Sequence, residues 1–316
     1  MNEENNVDQV HNATNDDEIP KLFERCGFLM KIPILSRPES QEIMSQLQSW
    51  IQTLPNQTLS GNVRFKPHLF LPFISPIVHH PKIIQMVSKV LNTSNILLWS
   101  SDFNIKQPKS DDYFPLHQDS TYTGLAPAHL GVTVWLAISD PVDETNGCMT
   151  FIEGSHKFGQ LDHCEENDNT QKNANMLSRK QYIPNQNIPF SSTKNESHPP
   201  KKIATLRGGE ASIHHFHLIH QSGPNRGNQP RVGLAMRYIA ASVKQMGDIR
   251  EMVTLINGHT EHDGFDLEPI LCHRFHETHT QNDWNEKLEI GKKAHDEAMK
   301  RETMNYFNGS QHLEYS

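Results

Sequence analysis

No two of the four cysteines in this 316-residue chain form a CxxC pair: Cys26, Cys148, Cys164 and Cys272 stand far apart. That spacing shows neither a zinc knuckle nor a dithiol redox motif, and reduced thiols are expected. The chain has no apolar run of about 18 residues, so no segment is expected to span a membrane. Excess positive charge is missing too. The 29 Lys and Arg against 37 Asp and Glu give a net charge of −8, the wrong sign for a nucleic-acid binder. The opening MNEENNVDQVHNATNDDEIP has neither the apolar core of a secretory leader nor the arginines of a transit peptide. HLEYS at the other end is no peroxisomal tripeptide, and a cytoplasmic location is expected. Histidine, by contrast, is plentiful at 20 residues, so any metal argument has to be made by position.

Residues 1–20 are too polar to bury surface that would offset their ordering entropy, and a disordered tail is expected there. Phe23, Gly27, Phe28, Leu29 and Ile32 predict a short helix running into a strand. Ser36 with Glu39 fits a capping box, with Pro38 in the first turn. Ile43, Leu47, Trp50, Ile51 and Leu54 then recur at helical spacing. A second helix is predicted over 81–91, carrying Ile84, Val87, Val90 and Leu91. From Ile96 the runs ILLWSSDFNIK, VTVWLAIS, MTFIEG, GEASIHHFHLIHQS and RVGLAMRYIA read as strands, separated by Gly, Pro, Asn and Asp clusters. That pattern belongs to a sandwich or barrel. The polar stretch 160–203 is an insertion without periodicity, of the kind that is either disordered or a lid over a site. We place the domain at 21–240, with 241–316 as a C-terminal extension helical over 284–308.

In PLHQDSTY, His117 and Asp119 are two apart, so an extended chain projects both from one face. Alone this is weak: His163/Glu165, His259/Glu261 and His295/Glu297 share the spacing. In HHFHLIHQSGPNRGNQPR, strand parity puts His214, Phe216, Leu218 and His220 on one face, with His215 and His217 on the other. His220 ends the alternation just before a Gly-Pro-Asn turn, at a strand's mouth. Arg231 comes eleven residues later and shares a face with Gly233, Ala235 and Arg237. An inward arginine needs an anion, either a ligand carboxylate or a protein acid. Two His and one carboxylate make the facial triad of non-haem Fe(II) oxygenases.

The order His117-x-Asp119, then His220, then Arg231 resembles the phytanoyl-CoA dioxygenase family of Fe(II)- and 2-oxoglutarate-dependent oxygenases. GVTVWLAISDPVDETNGCMTFIEGSHKFG is similar to the family's Trp, NGC and GSH segment, and GGEASIHHFHLIHQSGPNRGNQPRVGLAMRYI to its C-terminal signature. Phe23 to Phe28 fits its opening Phe-x-x-x-Gly-Phe element. The resemblance covers roughly residues 20–240. It implies a mainly β fold with flanking helices around a double-stranded β-helix (jelly-roll, cupin-like) core. His117, Asp119 and His220 match the iron ligands, and Arg231 matches the residue that pairs with the distal carboxylate of 2-oxoglutarate. Ser222 matches a hydroxyl helping to hold that carboxylate, Trp135 a tryptophan lining the cosubstrate pocket, and Lys106 and Asp102 fall on the bordering strand. Asn146, Gly147, Cys148, Gly154, Ser155 and His156 match loop architecture. A carboxylate at Asp119, where halogenating relatives have a small residue, implies oxygen transfer with O2, succinate and CO2.

KPHLFLPF, WSSDFNIK and HQDSTYTGL resemble members that oxidise 2-aminoethylphosphonate and related compounds. A small anionic, phosphonate-like substrate is therefore expected, met by Arg237 with Tyr122, Lys66 and His68. The alternatives are an acyl-CoA hydroxylase of the same family, a non-catalytic jelly-roll binding protein and a metal-dependent hydrolase.

Overall fold

A computed structural model describes residues 17–54, 64–166, 174–177, 180–189, 200–246, 250–262 and 264–268. The 284–308 helix, most of the 1–20 tail and Cys272 lie outside these described residues.

The chain begins with α1 (Ile19–Cys26), β1 (Phe28–Pro33), α2 (Arg37–Thr53), α3 (Ser75–Val78) and α4 (Pro81–Leu91). The capping box at α2 forms as read: Ser36 Oγ accepts from the Glu39 amide, and the Glu39 carboxylate accepts from the Ser36 amide at 2.7 Å. Ile43, Leu47 and Trp50 form the buried face of α2. On α4 the buried residues are Ile83, Met86, Val87 and Leu91, and Asn92 closes the helix in the left-handed region that asparagine tolerates.

The strands then follow: β2 (Ile96–Lys106), β3 (Phe114–His117), β4 (Leu125–Ala126), β5 (Gly131–Ala137), β6 (Met149–Ile152), β7 (Cys164–Glu165), β8 (Gln181–Tyr182), β9 (Lys201–Ala204), β10 (Glu210–His215), β11 (His220–Ser222), β12 (Arg231–Ala240), β13 (Lys244–Gln245), β14 (Met252–Asn257) and β15 (Asp266–Leu267). A single turn of helix, α5 (Ser120–Thr123), links β3 to β4. The larger sheet has the order β1-β10-β5-β12-β2-β14-β15 and the smaller β3-β11-β6-β9. Pairing is antiparallel throughout both, except for β14 with β15. The sheets face each other, with Phe151 of β6 against Phe28 of β1 at 4.8 Å between ring centroids and against His214 of β10 at 5.4 Å. This is the jelly-roll core that the family resemblance implies, and a form of the sandwich that the strand-rich pattern predicts. Every residue of β5 is buried, because the small sheet covers one face and helices cover the other.

Two segments reach further than the elements that the sequence predicts. Helix α1 already includes Ile19 and Pro20. Beyond residue 240, β14 pairs with the outer edge of β2, Thr254 opposite Leu98, because MVTLIN is a β-branched run that a long edge strand can accept. The 160–203 insertion is tied to the core where it is described. Ile183 donates its amide to Leu116 O at 2.7 Å, Met176 donates to Tyr113 O at 2.9 Å, and Ile183 and Ile188 pack with Ile152 and Ile219. Among the described residues, no helix is long and apolar enough to cross a membrane.

Two connections near the strand ends meet at Gly147, which has a φ of +78° and would place a Cβ 2.1 Å from Gly223 O. Gly147→Ala combines left-handed strain with a backbone clash and should cost about 2–5 kcal/mol, read by urea denaturation.

Candidate active site

β11 pairs with β3 so that His220 stands directly opposite His117, with ring centroids 4.1 Å apart. Asp119 follows β3 at the start of α5. His117 Nδ1 lies 2.7 Å from Pro115 O and His220 Nδ1 lies 2.9 Å from Leu218 O. Carbonyls only accept, so each Nδ1 carries the hydrogen and each Nε2 lone pair is left facing inward. Both Nε2 atoms are 3.7 Å from Asp119 Oδ1. One ligand atom from each of the three residues lies within 4.8 Å of the others, and all three residues are buried.

The protonation states suit a cation. Burial pushes both imidazoles down; for His220 the neighbouring His117 and His214 reinforce it, while for His117 the nearby Asp119 carboxylate opposes it. Burial works to raise the Asp119 carboxyl, but His214, His220 and Arg237 outweigh it and hold the group well below the usual range. Two neutral imidazoles and one carboxylate are the donor set of a divalent transition metal. Tyr122 and Thr133 donate their hydroxyls to Asp119 Oδ1 and Oδ2 respectively. His214 is 1% exposed, its Nε2 faces Asp119 Oδ2 at 3.6 Å, and its Nδ1 makes no hydrogen bond.

A second cluster sits further along β12, where Arg231 pairs with Lys106 of β2. The Arg231 guanidinium lies 5.1 Å over the Trp135 indole. Its Nη2 donates to Gly147 O at 3.1 Å, and its Nε has no partner. Lys106 Nζ donates to Ser222 Oγ at 2.6 Å, to Ser222 O at 3.1 Å and to Gly223 O. These acceptors would use all three N–H bonds of an ammonium, yet burial, reinforced by Arg231, pushes Lys106 down to about 6. Burial also pushes Arg231 down to about 10. Among the described residues, no acidic side chain forms an ion pair with either cation. Two adjacent buried cations without a carboxylate are costly unless an anion joins them.

His117, Asp119, His220, Arg231, Ser222, Trp135, Tyr122 and Arg237 all line one cavity between the sheets. Lys106 lies behind Ser222, off the wall. Arg237 is already paired: Nη1 bonds Asp102 Oδ1, and Nε donates to Tyr122 Oη at 3.1 Å. Lys66 and His68 are not brought to the cavity, which corrects the expectation that they meet a substrate. Lys66 Nζ bonds the Glu268 carboxylate and Met252 O, while His68 bonds Ser101 and Thr254. The left-handed backbone at Lys66 and the turn at Pro67 direct both side chains to Glu268 and β14. Sequence reasoning places His214 on the same face as His220 without giving it a role, and it passes over Thr133 and Arg64, which also line the cavity. Thr133 shares strand parity with Trp135; Arg64 carries no signal. His215 and His217 pack with each other at 5.3 Å, and His215 with His156 at 5.3 Å, off the cavity wall.

The family described as phytanoyl-CoA dioxygenase (PhyH) matches residues 43–233. Phytanoyl-CoA dioxygenase domain-containing protein 1 of Danio rerio is 31% identical over 106 residues, covering 34% of this chain and 36% of that protein. A probable alpha-ketoglutarate-dependent hypophosphite dioxygenase of Stutzerimonas stutzeri is 30% identical over 178 residues, covering 55% of this chain and 56% of that one. The matched segments thus span between about a third and about a half of these relatives. Among solved structures, the apo form of the non-heme monooxygenase ThoJ superposes with a TM-score of 0.70 over 92% of this chain and 99% of its own, at 23% identity. That likeness supports the fold.

A Cβ on Gly233 would fall 1.9 Å from Trp135 Cζ2, so the indole that covers Arg231 depends on this glycine. Gly233→Ala should displace the ring, cost about 1–3 kcal/mol and change the near-UV circular dichroism; an unaltered spectrum and melting temperature would contradict the packing argument.

Proposed function

Because the chain belongs to the phytanoyl-CoA dioxygenase family of Fe(II)- and 2-oxoglutarate-dependent oxygenases, we propose that it is a dioxygenase hydroxylating a small, anionic, phosphonate-like molecule. The observation that carries the reading is the pairing of a buried His–Asp–His donor set with a buried Arg231–Lys106 pair to which, among the described residues, no acidic side chain forms an ion pair. The residues fit the cofactors. His117, Asp119 and His220 would hold Fe(II), and Arg231 with its free Nε, backed by Ser222 and Lys106, would take the distal carboxylate of 2-oxoglutarate. Bound there, iron and cosubstrate supply the oxidation by O2, in which 2-oxoglutarate becomes succinate and CO2 and one oxygen atom enters the substrate.

The chain's own residues do the rest. Pro115 O and Leu218 O fix the two imidazole tautomers. Thr133 and Tyr122 orient the Asp119 carboxylate. Trp135 covers one face of Arg231, keeping water from the ion pair that the cosubstrate forms. With Arg231 given to the cosubstrate and Arg237 paired with Asp102, Arg64 still brings to the cavity wall a guanidinium whose Nε makes no hydrogen bond, and that favours an anionic substrate. The hypophosphite dioxygenase relative is compatible with this preference. A silent binding jelly-roll or a hydrolase would have no use for an unmatched Arg231 beside the donor set.

Anaerobic titration of the apoprotein with Fe(II) and 2-oxoglutarate tests the reading through the visible charge-transfer band. The band should form in wild type, vanish in His220→Ala, and in Arg231→Ala require cosubstrate concentrations raised by about 2–5 kcal/mol of lost affinity. Iron binding without a band in wild type would remove the cosubstrate assignment.

Lys106 gives a pH test. Its free-state value is about 6, and a bound dicarboxylate favours the ammonium and raises it. Cosubstrate affinity should therefore be full below that value and fall, by up to about tenfold per pH unit, as pH rises towards the bound-state value. Calorimetry in buffers of different ionisation enthalpy should show proton uptake on binding, and Lys106→Met should abolish both the slope and the uptake.

A further inference from the structure

The ion pairs that begin at the metal-ligating triad form a line of alternating charge with one open end. Asp119 Oδ2 is 4.0 Å from Arg237 Nε, Arg237 Nη1 bonds Asp102 Oδ1, and Asp102 Oδ2 is 4.0 Å from Arg64 Nη2. Both oxygens of Asp102 are occupied already, Oδ1 by Arg237 and Oδ2 by Asn104 Nδ2 at 2.6 Å. Arg64 therefore meets its acid only at long range. Its Nε is buried from solvent and makes no hydrogen bond, while its side chain as a whole keeps 29% exposure at the cavity wall. The charge that Arg64 brings has no full counterion among the described residues.

The segment that carries it is held in place. Phe65 bridges to Asp102 of β2, and the Lys66 amide donates to Ser101 O at 2.7 Å. The Arg64 guanidinium lies 5.3 Å over the Phe65 ring, which leaves its planar edge for a partner. A guanidinium fork of this kind matches the paired oxygens of a carboxylate, phosphonate or phosphinate.

We propose that Arg64 is the anchor for the substrate's anionic group, a tetrahedral phosphorus oxyanion, and that this anion completes the charge line at the end away from the metal ligands. The proposal rests on the anionic-substrate reading above. It assigns recognition to Arg64 rather than to Arg237, whose guanidinium is committed to Asp102 and Tyr122. Arg237 then acts by holding Asp119 and Asp102 apart at a fixed distance.

The test uses the Fe(II)- and 2-oxoglutarate-loaded protein without oxygen, titrated calorimetrically with methylphosphonate and with its neutral dimethyl ester. Wild type should prefer the anion. Arg64→Gln should weaken methylphosphonate binding by about tenfold or more, as expected for loss of a charge-assisted hydrogen bond. It should leave the ester's affinity and the visible charge-transfer band as they are, and Arg64→Lys should recover part of the anion affinity. Unchanged methylphosphonate affinity in Arg64→Gln overturns the role of Arg64 and leaves the anionic-substrate reading standing. A wild-type protein that does not distinguish the anion from the ester, or binds neither, overturns that reading and the role of Arg64 together, while the charge-transfer band still reports on the oxygenase assignment.

Discussion

His220 faces His117 across the β3–β11 ladder, and the geometry of the site follows from that register. β11 has three residues, too few to hold a register alone. It is fixed from its other side, where His220 pairs with Phe151 of β6, and from its entry, where the Ile219 amide donates to Ser155 Oγ at 2.9 Å and Ile219 O accepts from Ile152. A slip of one residue would turn His220 out of the cavity. Ser155, fully buried in the Gly154-Ser155-His156 loop, thus pins the strand that presents the distal histidine. His156 binds Glu24 O and packs on Gly27, which agrees with its reading as loop architecture.

Charge follows the same framework in two directions along β2 and β12. Towards one end, Arg231 and Lys106 face each other across the ladder, two like charges whenever the lysine is protonated. Towards the other, Asp102 and Arg237 alternate in sign and reach Asp119. The second arrangement is nearly neutral within the protein; the first is not. In a poorly polarisable interior an unmatched cation pair raises the free energy of the ligand-free state, and the same pair then favours whatever dianion enters. Arg231 cannot readily shed its charge, whereas Lys106 can, so the pair adapts by losing the lysine proton when empty.

Much of this is legible in the sequence because strands report their faces. Parity in RVGLAMRYIA puts Arg231 and Arg237 inward, and both line the cavity. HHFHLIHQS, read as one strand, is instead split after His215 between β10 and β11, which belong to different sheets, so parity does not carry from His214 to His220. His214 reaches His220, at 4.6 Å between ring centroids, because the two sheets face each other and not because one strand carries both. Lys66 and His68 are misplaced for a different reason. The partner of Lys66, Glu268, lies 202 residues further on, in a segment that reads as a polar tail, and the left-handed backbone at Lys66 leaves no periodic trace. The run MVTLIN escapes notice because it is one short apolar stretch in polar surroundings; the open edge of β2, which decides its fate, exists only in the folded sheet.

The residues that can be read and those that cannot fall into different parts of the molecule. The donor triad, Trp135, Arg231 and Ser222 sit on or directly beside strands whose positions two sheets determine. Arg64, Met176 and Leu177 reach the same cavity from connections. Strand residues cannot change without disturbing ladder, register and core together, as the fit of Trp135 over Gly233 illustrates. Connections tolerate change far more cheaply. The connections contribute the Arg64 guanidinium, at the point where the line of ion pairs stops short.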